Sequence, residues 1–217
     1  MAVFAGCNAP SNALDPGRLL GRDHIIGEPG SVPSGYEPQP GPGPGVQPEI
    51  GEPCHADNDP QRICLALKYV VYLDADGNPV VTQQAAVENV GAMNRTWGAC
   101  NIAFQIDDYQ AIRPADFGLR YQTADFTELD QIRNAVGSDQ ALLIVTTGTW
   151  DRTGSLGNTG ANAWTSMPGS GPYGAILERP VGTFSNIISH EVGHYLNLLH
   201  LNDTQDLMNP IIYSTST

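Results

Sequence analysis

Three of the chain's five histidines fall within eleven residues, HEVGHYLNLLH, from His190 to His200. His190 and His194 stand four apart, so on a helix both imidazoles leave the same face, one turn from each other. His200 follows at a spacing of six. If the helix ran on, six residues would take His200 about 9 Å along the axis and onto another face. The three rings can meet only if the helix stops just after His194 and the chain doubles back. Such a reversal needs a residue that accepts positive φ, and position 197 is Asn, which tolerates that region best after Gly. One short run thus dictates a helix, its end and a turn. The expected helix starts near Thr183 or Ser185, either of which can cap it, and buries Ile187, Ile188, Val192 and Leu196.

Histidines at i and i+4 offer one nitrogen each to a single metal ion, and His200 supplies a third once the turn is made. Glu191 lies beside them, where its carboxylate reaches a water at the metal without itself being a ligand. That is the geometry of zinc hydrolysis. The ion lowers the pKa of a water from about 16 towards 7, the glutamate takes the proton, and a polarised carbonyl is attacked. A glutamate as third ligand is excluded, since no glutamate follows Glu191. Asp203 and Asp206 read as turn and surface charges.

The remaining composition narrows the partners. At 217 residues there is room for one domain with a proper core. The formal net charge of -13 argues against nucleic acid and anionic lipid, both of which demand Lys and Arg. No apolar run is long enough to span a bilayer. A monomeric state and an extracytoplasmic location, secreted or lipid-anchored, are expected. Phe4-Ala5-Gly6-Cys7 is similar to the processing site of a bacterial lipoprotein, which would make Cys7 a lipidated membrane tether. Residues 27–53 hold eight of the seventeen prolines, too many for a sheet or helix. Residues 1–60 are therefore expected to be a leader, serving as tether, pro-segment or neither, ahead of a catalytic domain at 61–217.

From Ile63 onward the pattern is that of an α/β domain. ICLALKYVVYL reads as a strand buried on both faces. DADGNP reads as a turn, since the Glu that a calcium loop needs is missing. Ala86, Val90, Met93 and Trp97 mark an amphipathic helix. NIAFQIDDY is a second strand, parallel to the first across that helix. A second helix near Leu129 to Val136, a third strand QALLIVTT, and a short strand around Ala161 to Met167 within a Gly- and Ser-rich loop complete the reading.

HEVGHYLNLLH resembles the extended zinc motif HExxHxxGxxH of the metzincin metallopeptidases, with Asn197 where that clan has Gly. DLMNP, with Met208, resembles its methionine turn, and the Leu-Met-x-Pro core is most similar to the matrixin branch. GANAWTSMP resembles the substrate-binding edge strand, with some likeness to pappalysins. The resemblance implies a zincin-type α+β fold. Its parts would be a twisted, mostly parallel sheet with an antiparallel edge strand, a backing helix, an active-site helix and a small C-terminal subdomain with the Met turn. It implies Zn(2+) on His190, His194 and His200, Glu191 as general base, and Met208 beneath the metal. It implies a protein or peptide substrate, with contacts at Ala161, Asn162, Ala163, Trp164, Pro210 and Ile211, although Ile211 and Ile212 read equally well as core. The matrixins' structural zinc and calcium loops are missing, and Pro210 stands where astacin-like enzymes place a tyrosine. Nine residues after Met208 leave no room for the usual C-terminal helix.

The four cysteines leave several pairings open. Cys7 or Cys54 could supply a thiolate to the zinc as a cysteine switch, although neither sits in the matrixin switch motif. Cys64 and Cys100 open two adjacent parallel strands, where a disulfide is expected; Cys54 could instead bond either of them. Two other functions fit the same residues: a non-enzymatic zinc-containing surface module, and a zinc amidase with a non-protein substrate. A retained Glu191 argues against the first, since a purely structural site has no use for a base.

Overall fold

The structure is a computed structural model that describes residues 60–169 and 171–211, Cys54, and the backbone of His24–Ile26. Among the described residues one sheet is built from β1 (His24–Ile26), β2 (Ile63–Tyr72), β3 (Ile102–Ile112), β4 (Leu142–Thr146), β5 (Ala161–Thr165) and β6 (Ala175–Leu177). Its order is β1-β5-β6-β4-β2-β3. The helices are α1 (Gln83–Trp97), α2 (Phe126–Val136) and α3 (Ser185–Tyr195). The expected class, a mostly parallel α/β sheet with antiparallel pairing at one side, is what forms. β2 runs parallel to both β3 and β4, and β6 parallel to β4; β5 is antiparallel to β6, and β1 to β5.

The apolar run of β2 lies between two cores, as its lack of alternation predicts. Leu67, Tyr69 and Val71 pack on one side with Met93 and Trp97 of α1 and Ile187, Ile188 and Val192 of α3. Val70 and Tyr72 pack on the other with Leu129, Ile132 and Val136 of α2. α1 starts where Thr82 Oγ1 accepts from the Ala85 N–H at 3.2 Å, and it buries the four predicted positions together with Asn89. DADGNP turns as expected, with Asp74 Oδ1 accepting from the N–H groups of Asp76 and Asn78. No helix among the described residues is long and apolar enough to cross a membrane.

Three expectations are corrected. The N-cap position of α3 falls on Phe184, not on Thr183 or Ser185, and no side chain caps it. Phe184 is buried in the α1–α3 core, so packing overrides capping preference at this end. β6, three fully buried residues, went unpredicted and inserts between β4 and β5. Cys64 is a free thiol while Cys100 is disulfide-bonded, so these two do not bond each other. The parallel register sets Cys64 opposite Ala103, three residues beyond Cys100, which stays in the turn after α1. Cys54 is free as well and therefore bonds neither of them.

Candidate metal centre

α3 ends as the histidine spacing requires. Asn197 adopts φ 69°, its N–H donates to the His194 carbonyl at 2.9 Å, and the Leu198 N–H donates to the Gly193 carbonyl at 2.9 Å. This is a Schellman motif with Asn in the left-handed position. The reversal carries His200 back over the helix. Its Nε2 then lies 3.2 Å from Nε2 of His190 and 3.1 Å from Nε2 of His194.

Backbone carbonyls decide which nitrogens are bare. His190 Nδ1 lies 2.7 Å from the Leu207 carbonyl, and His194 Nδ1 lies 2.8 Å from the Leu198 carbonyl. A carbonyl only accepts, so both Nδ1 atoms carry a proton, which leaves Nε2 of each ring as the atom that can offer a lone pair to a metal. Burial, followed by the neighbouring His194, holds the pKa of His190 well below the ordinary value, which keeps that ring neutral. Three imidazole nitrogens thus face one point, with ligand atoms all within 4.8 Å of one another. A tetrahedral zinc ion with Zn–N bonds of about 2.0–2.1 Å sets its ligands about 3.3 Å apart. The residues present fit that ion.

Glu191 is 1% exposed, and its Oε2 accepts a hydrogen bond from the Thr165 hydroxyl at the end of β5. Met208 is buried under α3. A Cβ on Gly193 would strike its sulfur, so the glycine just before His194 admits the methionine. The turn holding it is knitted by Asp206 Oδ1, which accepts from the Met208 N–H at 2.7 Å, and by the Met208 carbonyl, which accepts from the Leu201 N–H at 2.9 Å. The same turn aims the Leu207 carbonyl at His190. Asp203 and Asp206 are turn residues, as expected.

No family model matches the chain, and no curated protein matches it. Among solved structures it is similar to metalloproteinase-II from Bacteroides fragilis, with a TM-score of 0.45 at 15% identity. That likeness covers 70% of this chain and 48% of the other, so the chain spans about half the length of that protein.

The remaining predicted positions divide. Ala161, Asn162, Ala163 and Trp164 form the antiparallel strand β5, all buried. β5 is not the outermost strand, however, because β1 pairs along its outer side, with His24 opposite Trp164 and Ile25 opposite Ala163. Ile211 is 37% exposed, so it is not core; Pro210 is half-buried beside it. Ile212 and Cys7 lie outside the described residues. Cys54 does not join the histidine cluster. Its N–H donates to Gln105 on β3, which β6, β4 and β2 separate from β5 in the sheet, so a cysteine switch by Cys54 is not formed. Thr165 and Gly193 were missed by sequence reasoning. Thr165 had a signal: period 2 along ANAWT puts Ala163 and Thr165 on one face, a small residue and then a hydroxyl turned toward the helix.

Proposed function

We propose that this chain is a zinc-dependent endopeptidase acting outside the cytoplasm. The convergence of three imidazole nitrogens beside a buried carboxylate supports that reading most strongly. His190, His194 and His200 would hold the ion. Zinc, when bound, supplies a Lewis acid for a carbonyl and lowers the pKa of a water. Glu191 takes the proton of the attacking water and returns it to the departing amine nitrogen. Burial of the carboxylate strengthens its interactions by excluding bulk solvent.

An extended substrate would pair along the outer side of β5, which offers backbone groups for strand addition. β1, drawn from the leader, lies along that side. Residues 1–60 therefore serve, in this reading, as a pro-segment that must leave before a substrate can enter. Exposed Leu199 and Leu201, which flank His200 in the chain, favour an apolar side chain on the substrate. The disulfide at Cys100 agrees with an oxidising compartment.

The test is cleavage of a diverse peptide mixture, read by mass spectrometry, with zinc content measured in parallel. The wild type, Glu191→Ala and a chain starting at residue 61 are compared. Cleavage that depends on Glu191 and rises on removal of the leader is expected. Bound zinc without cleavage by any form containing Glu191 would overturn the peptidase.

A further inference from the structure

We propose that Thr165 is the positioning residue for the general base, fixing the Glu191 carboxylate from the strand that would also register the substrate. The inference rests on the peptidase reading above and deepens it. A glutamate side chain has three torsions, the last of them broad, so a lone carboxylate has no preferred plane. The Thr165 hydroxyl donates to Oε2, since an ionised carboxylate can only accept. Both residues are 1% exposed. The donor itself is stiff, because β-branching restricts χ1.

The backbone under Thr165 is held in turn. It pairs with Ala175 on β6, and the buried Arg133 of α2 donates to the Trp164 carbonyl and to the Gly174 carbonyl, both at 2.9 Å. Those two carbonyls immediately precede Thr165 and Ala175. A helix on the far side of the sheet thus steadies the strand end from which the base is aimed. Substrate and base share one frame: a peptide paired with β5 is placed by the same strand that orients Glu191. Any shift of β5 then moves both together and preserves their relative geometry, which is the quantity a proton transfer depends on.

Thr165→Val keeps the shape and removes the donor. In the zinc-loaded full chain, kcat is expected to fall roughly 10- to 100-fold, the worth of a hydrogen bond to a charged group, with KM little changed. Zinc affinity, measured by chelator competition, should stay at the wild-type value. Thr165→Ser, which keeps the hydroxyl, should recover most of the loss. In a Glu191→Ala background, Thr165→Val should cost nothing further, since the group it positions is gone. If Thr165→Val does not fold, Thr165→Ala carries the same expectations. A wild-type kcat in the donor-free variant, a loss confined to KM, or a loss that persists without Glu191 would each overturn the proposal. Absence of cleavage by the wild type would remove the peptidase reading as well, whereas unchanged cleavage by Thr165→Val removes the positioning role alone.

Discussion

α2 and α3 are both eleven residues long, and they are made in opposite ways. α2 begins at Asp125 with Glu128 reaching back to the Asp125 N–H at 3.2 Å, a capping-box arrangement, and it buries one stripe: Leu129, Ile132, Arg133 and Val136. Its signals are local. α3 has no side-chain cap, and eight consecutive residues, Ile187 to His194, are buried. A helix buried all round takes its stability from its neighbours. Those neighbours are the α1 core, Met208 under Gly193, and the carbonyls of Leu198 and Leu207 that hold the histidines. The lesson is that the helix with the histidines is the one least able to stand alone.

Metal removal should separate the two helices most sharply. With free zinc at about 1,000 times its Kd, the ion adds about 4 kcal/mol of stability, all of it lost to a strong chelator. Amide hydrogen exchange should quicken across α3 and residues 197–209 and leave α2 as it was. Equal quickening in both helices would break the comparison.

Next comes the helix stop. Asn197→Val forces a β-branched residue into the left-handed region, at a cost of about 1–2 kcal/mol, and should weaken zinc binding by displacing His200. Asn197→Gly should bind zinc at least as tightly as the wild type, read by the same chelator competition. Asp125→Ala is the matching cut in α2. It should cost about 1 kcal/mol in urea unfolding while zinc affinity and cleavage hold steady.

Alkali gives the smallest effect and spares neither side. Burial pushes Tyr69 and Tyr109, on the α3 side of the sheet, up to about 12, and raises Tyr72 on the α2 side. The folded pKa lies above the unfolded one near 10, so this stability is complete below about pH 10 and is lost as pH rises through the folded values. Melting temperatures between pH 9 and 11 should fall for the whole domain without a step confined to α3.

Much of this architecture is legible in the order of the amino acids, and the exceptions share a cause. The histidine triad, the stop at Asn197 and the long apolar strand β2 are written in spacings of a few residues, where helix and strand periods act. Other features are decided by partners distant in sequence. Phe184 takes the cap position because a core forms beneath it. β6 is too short to show a period and exists because β4 and β5 flank it. Cys64 and Cys100 looked adjacent from strand order alone, but the register that separates them is a property of two paired strands. Thr165 lies 26 residues from Glu191, and its hydroxyl gained meaning only when β5 met α3. The placement of β1 on β5 has no local signal at all.

The metal corner is closed by short loops. His190 to Leu207 spans 17 residues, His190 to His200 spans 10, and His194 to Leu198 spans 4. Loop-closure entropy grows only with the logarithm of length, yet these loops sit at the cheap end, while β2 must find β4 across the whole of α1, β3 and α2. Contacts so near in sequence reform quickly once opened. If these histidines take up zinc as proposed, residues 185–211 would release and rebind the ion while the sheet stays folded, so that loading with metal would be a late, local event.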